Sequence, residues 1–118
     1  IRDAVALLET TNAGIVLSAQ HATDSPYFNL LEKSEDGAWV VSKTVSRPVN
    51  ARQSSPPVFA LNGAVYSWSR AELFKDNDRV VRSGIALFLM PRERSVDIDD
   101  EFDFKIAELL LHNSLERG

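Results

Sequence analysis

The sequence predicts a mixed α/β domain, and three stretches carry that prediction. Ile15-Val16-Leu17-Ser18-Ala19 and Ile85-Ala86-Leu87-Phe88-Leu89-Met90 are short apolar runs of the kind that form buried strands. A helical pattern precedes the first run and another follows the second. Between the second run and its helix lies Ser95-Val96-Asp97-Ile98-Asp99-Asp100-Glu101-Phe102-Asp103, which packs four aspartates and a glutamate into seven residues.

Composition narrows the classes of function. At 118 residues the chain is one domain at most, with 44% hydrophobic and 25% charged residues, as in globular proteins. Thirteen Lys and Arg against 17 Asp and Glu give a net charge of −4, and the arginines are scattered. That balance argues against a nucleic-acid surface, which needs clustered cations to meet phosphates. With no cysteines, a disulfide framework, a thiolate zinc site and a cysteine nucleophile are excluded, which fits a reducing cytoplasm. No apolar run approaches the roughly 18–20 residues needed to span a bilayer, so no membrane partner is expected. The chain opens on Ile1 inside a helical pattern, and we expect it to be part of something longer.

In order, Ile1, Ala4, Val5 and Leu8 follow helical spacing. Asn12-Ala13-Gly14 ends that helix, with Gly14 as a plausible C′ residue. The strand at 15–19 follows, and helix, turn and buried strand together imply a βαβ pattern whose first strand lies before residue 1. Residues 20–26 are polar and predicted to be loop. His21 in this loop and His112 in the last helix are assigned no chemistry. Tyr27-Phe28-Asn29-Leu30-Leu31-Glu32 is expected as a strand, Ser34-Glu35-Asp36-Gly37 as a turn and Trp39-Val40-Val41 as its partner, giving a hairpin over 27–41. Its apolar side chains need a cover, from its own domain or from a second subunit. Residues 43–58 are predicted to form a loop, in which Arg47 and Arg52 could grip an anion or stay solvated. Asn62-Gly63 between apolar runs usually marks a hairpin turn; the alternative is a close approach of backbone to ligand. Ser69 caps a short helix over 70–74, and the strand at 85–90 leads to a last helix burying Phe102, Ile106, Leu109 and Leu110.

Two readings of the acidic stretch stand side by side. In an extended segment Asp97 and Asp99, at i and i+2, project together, with Ile98 turned toward the core. Two such carboxylates suit Mg²⁺, which takes hard oxygen ligands and keeps several waters. In the other reading Asp99 or Asp100 is a helix N-cap and its neighbours are a charged first turn, favoured by the helix dipole.

The chain also resembles a known family in several ordered stretches. Ser25-Pro26-Tyr27-Phe28-Asn29, Asn50-Ala51-Arg52-Gln53, Leu61-Asn62-Gly63-Ala64-Val65-Tyr66 and Met90-Pro91-Arg92-Glu93-Arg94-Ser95-Val96-Asp97-Ile98-Asp99 are similar to elements of the acylneuraminate cytidylyltransferases. Asp103-Phe104 and Ala107-Glu108 follow at the family's spacing. The resemblance covers the C-terminal half of that family's domain. It implies an α/β fold of nucleotidyltransferase type, a Rossmann-like three-layer domain with a protruding β-hairpin dimerisation arm. Residues 1–118 would be a single partial domain, with 27–58 as arm and loop.

The implied reaction transfers CMP from CTP to a nine-carbon 2-keto acid sugar and releases pyrophosphate. Asp97 and Asp99 are then the catalytic magnesium ligands, and Arg52, Gln53, Asn62 and Tyr66 bind the sugar. The hairpin at 27–41 is implied to join two copies in a homodimer. Two positions depart from the family pattern: Ala51 replaces the first arginine of an Arg-Arg-Gln element, and Asp100 stands where Thr or Ser is frequent. The family's Gly/Lys/Arg-rich loop for the CTP phosphates has no counterpart in these residues, so the 118 residues alone are expected not to turn over. The alternatives are a cytidylyltransferase for the eight-carbon acid Kdo and a non-catalytic dimerisation or interaction domain on the same scaffold.

Overall fold

A computed structural model of the chain describes residues 1–45, 55–75, 79–81 and 84–116. It divides into two compact units: residues 1–20 with 61–118, and residues 21–60. No helix among the described residues is long and apolar enough to cross a membrane.

The first unit is built on a three-stranded mixed sheet. Helix α1 (Arg2–Thr10) leads into strand β1 (Ile15–His21). Strand β4 (Phe59–Trp68), helix α2 (Arg70–Leu73), strand β5 (Ile85–Leu89) and helix α3 (Glu101–Glu116) follow later in the chain. The sheet order is β4-β1-β5. Strands β1 and β5 run parallel, with Ile15 opposite Ile85 and Ala19 opposite Leu89. Against β4 the sense is antiparallel, since Ser69 N–H meets Gly14 O before β1 while Ala22 N–H meets Val58 O beyond it.

The middle place of β1 follows from its composition. Ile15, Val16, Leu17 and Ala19 are at most 1% exposed, as expected of a strand covered on both faces. Full burial of each large aliphatic there is worth about 1.5–3 kcal/mol. Ala4 of α1 is also fully buried, and α1 packs on β5. The strand runs two residues past Ala19, so Gln20 and His21 belong to it and not to a loop.

Three further expectations need correction. Gly14 is not a left-handed cap: Thr11 ends α1 in extended conformation, its N–H bonded to Leu7 O. What position 14 requires is space, because a Cβ there would come within 2.2 Å of Glu72 Cγ. Asn62-Gly63 is not a hairpin turn but lies inside the continuous strand β4. Gly63 has φ 66, and Val65 N–H turns to the Ser18 hydroxyl at 2.8 Å, the signs of a glycine-type bulge in an otherwise paired strand. In α3, Phe102 and Leu109 are 69% and 62% exposed, while Ile106 and Leu110 are half-buried. The apolar residues of α3 are spread round the helix, and this chain covers only part of them.

The second unit holds a two-stranded hairpin, β2 (Leu31–Lys33) and β3 (Trp39–Val41), with Leu31 opposite Val41 and Lys33 opposite Trp39. It is shorter than the hairpin expected over 27–41. Residues 27–29 form a turn instead, because Ser25 O accepts N–H groups from Phe28, Asn29 and Leu30. The Asn29 amide closes that turn on Ser25 N and Asp24 Oδ1, both at 2.6 Å. At the hairpin tip Gly37 takes φ 86, and Ser34 donates to the Asp36 carboxylate at 2.6 Å. That hydroxyl, helped by Ala38 N–H, holds the Asp36 carboxyl below the usual carboxylate range. Leu31 and Trp39 remain 57% and 69% exposed.

Candidate functional site

The acidic stretch divides into two pairs with different duties. Asp100 is the N-cap of α3: its carboxylate accepts Phe102 N–H at 2.8 Å and Asp103 N–H at 3.0 Å. Asp103 reaches back to the N–H groups of Asp99 and Asp100 at 3.2 and 3.3 Å. This reciprocal pairing is a capping box with carboxylates at both positions. It leaves Asp97 and Asp99, whose exposed carboxylates have no hydrogen-bond or ion-pair partner among the described residues. The helix-cap reading therefore holds for Asp100 and Asp103, and neither Asp97 nor Asp99 caps α3 through its side chain. Replacing Asp100 by Ala is expected to cost about 1 kcal/mol of stability, and Asp100→Asn close to nothing, in urea unfolding.

Asp97 lies beside the bulge in β4. A Cβ on Gly63 would lie 3.8 Å from Asp97 Oδ2, so the carboxylate sits beside a stretch of bare backbone. The donor set is small. No group of three or more His, Asp or Glu positioned to hold a metal occurs among the described residues. A two-carboxylate set still fits Mg²⁺, which usually completes its octahedron with water and substrate phosphates.

Asn62 is 6% exposed and sits in a buried network. Its Oδ1 accepts the Ser18 hydroxyl at 2.6 Å, and its Nδ2 donates to Ser95 Oγ at 2.9 Å. Ser18 and Ser95 are 0% and 5% exposed; Ser18 carries no signal in its apolar strand, and Ser95 carries one only as part of the family-like element. Tyr66 is 37% exposed and meets Trp68 edge-on, with centroids 5.9 Å apart. Strict alternation would put Asn62 and Tyr66 on one face; the bulge at Gly63 breaks it. Arg47, Arg52 and Gln53 lie outside the described residues.

Clefts also occur among the described residues. One of about 780 Å³ in the first unit is lined by Arg94, Val96, Ala107, Leu110 and Ser114. One of about 140 Å³ in the second unit is lined by His21, Thr23, Asp24, Ser25 and Pro57, with His21 against the Phe59 ring at 4.8 Å.

Comparison with known proteins gives these positions a context. Over 96 residues, 81% of its length, the chain is 38% identical to the post-translational flagellin modification protein B of Campylobacter coli. Over the same length it is 35% identical to the CMP-N,N′-diacetyllegionaminic acid synthase of Campylobacter jejuni. The chain thus resembles cytidylyltransferases of the sialic acid type, as its motifs imply. It spans 39% of the length of each of these relatives. No family profile matches it.

Proposed function

We propose that the chain supplies the sugar-binding, metal-binding and dimer-forming share of a cytidylyltransferase. The substrate class is a nine-carbon 2-keto acid sugar of sialic acid type, and the fold of the whole enzyme is the nucleotidyltransferase-type α/β domain. The observation that carries the reading is its 35% identity, over 81% of the chain, to a protein named as a CMP-diacetyllegionaminic acid synthase. The carboxylates of Asp97 and Asp99, which have no partner among the described residues, support it.

In the proposed reaction the anomeric oxygen of the sugar bonds to the α-phosphorus of CTP. The bond from that phosphorus to the bridging oxygen of the β-phosphate breaks, pyrophosphate leaves, and the sugar hydroxyl proton passes to solvent. Negative charge grows on the phosphoryl oxygens; Asp97 and Asp99 would hold Mg²⁺, which would supply positive charge to offset it. Those carboxylates are suited to the task because they are exposed and have no partner among the described residues. Tyr66, on the exposed side of β4, offers a hydroxyl and a ring edge to the sugar. Arg52 and Gln53 are proposed to meet its carboxylate, as the family pattern implies.

The test is CTP-dependent pyrophosphate release by the gene's full-length product, with Mg²⁺ and a panel of nine-carbon acid sugars and Kdo. Release with one of the nine-carbon sugars is the expected result. Release with Kdo alone would replace the substrate class, and a folded protein silent with every sugar would sink the reading.

The dimer is proposed to form through the hairpin, whose Leu31, Trp39 and Val40 are all exposed within their own unit. Trp39→Asp is expected to convert a dimer to a monomer in sedimentation velocity. A variant that still sediments as the wild-type dimer would place the interface elsewhere.

A further inference from the structure

We infer that Ser18, Asn62 and Ser95 are positioning residues that hold Asp97 for metal binding, and that Asn62 acts in this way instead of touching the sugar. For its effect on turnover the inference rests on the cytidylyltransferase reading; its geometry stands without it.

The network uses each proton once. Val65 N–H donates to Ser18 Oγ at 2.8 Å, and the Ser18 hydroxyl donates to Asn62 Oδ1 at 2.6 Å. The Asn62 Nδ2 group donates to Ser95 Oγ at 2.9 Å, and the Ser95 hydroxyl donates to Pro91 O at 2.9 Å. The chain of donors thus starts and ends on backbone. It joins three stretches far apart in sequence: β1, the bulge of β4, and the segment before Asp97.

Asn62 has no capacity left over. An amide side chain offers two N–H groups and one carbonyl oxygen with two lone pairs. Beyond the two serines, Ala64 N–H approaches Oδ1 at 3.3 Å and Met90 Sδ approaches Nδ2 at 3.5 Å. At 6% exposure, no face of the amide is offered to a ligand.

Asp97 is what the network can act on. Ser95 lies two residues before it. Gly63, next to Asn62, presents the bare backbone 3.8 Å from Asp97 Oδ2, measured from where a Cβ would stand. One amide therefore anchors both the backbone beside Asp97 and the segment that carries it. Asp97 makes no side-chain hydrogen bond of its own among the described residues, so its position depends on these anchors. Groups that orient a metal ligand typically change metal affinity by about 10–100-fold when removed.

The experiment uses the gene's full-length product, with Ser95→Ala and Ser18→Ala beside wild type, each checked for a native circular dichroism spectrum and cooperative melting. Mn²⁺ binding is titrated by electron paramagnetic resonance without substrates. Pyrophosphate release is measured against Mg²⁺ and against sugar. We expect Ser95→Ala to weaken Mn²⁺ about tenfold and to raise the Mg²⁺ needed for half-maximal release similarly, with the sugar KM unchanged. Ser18→Ala, at the far end of the network, moves Mn²⁺ affinity the same way and decides the matter should Ser95→Ala not fold. Unchanged Mn²⁺ affinity in a folded variant overturns the inference. So does a raised sugar KM at unchanged Mn²⁺ affinity, or a wild type that binds no Mn²⁺. If Mn²⁺ binding weakens as expected while even wild type releases no pyrophosphate, the network stands and the cytidylyl-transfer reading falls.

Discussion

Asp97→Asn and Asp99→Asn are each expected to lower pyrophosphate release about a hundredfold in the folded full-length protein. Each change keeps the size of the side chain and removes one negative oxygen. Both carboxylates are exposed and lack partners among the described residues, so neither change breaks a contact seen in the fold. Stability should therefore stay within about 0.5 kcal/mol of wild type.

That separation of activity from stability is the diagnostic. The capping pair behaves in the opposite sense. Asp100→Asn still accepts the Phe102 and Asp103 N–H groups, so it should change activity little. Asp100→Ala should lose stability first. Kinetics and urea unfolding on these three positions distinguish a metal pair from an extended cap. If activity tracked melting temperature across all of them, or if the Asn variants at 97 and 99 turned over normally, the carboxylates would be no more than charges near a helix end.

The division within this stretch was only partly legible in the sequence. A helix start was readable at Asp99 or Asp100, because short acidic side chains at a junction satisfy free N–H groups. Which residue caps, and which carboxylates stay free, depends on backbone geometry that the spacing alone leaves open. Strand β1 was legible for a simple reason: five residues without a charge, preceded by a turn, can only be satisfied inside a sheet. The faces of α3 were not. Phe102, Ile106, Leu109 and Leu110 keep a helical spacing, but spacing shows that an apolar stripe exists and not what covers it. Phe102 and Leu109 stay exposed in this chain.

Gly63 and the buried serines show a second kind of limit. Asn-Gly flanked by apolar residues has the composition of a tight turn, yet here the positive φ serves a bulge inside one strand. The local signal for left-handed backbone was correct, and its use was set by partners far along the chain. Ser18 meets Asn62 across 44 residues, and Asn62 meets Ser95 across 33. Sequence reading placed Asn62 near the sugar through family pattern. The geometry commits its amide to the interior, while Tyr66, four residues on, remains exposed on the same strand.

The same burial makes Asn62→Leu the substitution expected to destabilise the fold most, by about 2–4 kcal/mol in urea unfolding. Leucine keeps the branched heavy-atom skeleton with bulkier methyl ends, so no cavity is opened and the loss is chiefly one of polar partners. It removes the acceptor for the Ser18 hydroxyl and the donor to Ser95 Oγ, both in surroundings that water does not reach. A buried polar group left without a partner costs about 1–3 kcal/mol. Ser18 keeps Val65 N–H and Ser95 keeps Pro91 O, so each serine is half-satisfied, which holds the expected total below that of two fully orphaned groups. A triple change, Ser18→Ala, Asn62→Leu and Ser95→Ala, removes the unpaired hydroxyls along with the amide. It should recover part of the lost stability, although Val65 N–H then loses its acceptor. Recovery in the triple variant would show that the cost lies in unsatisfied polarity. A triple variant no more stable than Asn62→Leu would show that the bulge itself depends on these bonds, because the backbone at Gly63 would then have nothing holding it against the segment that carries Asp97.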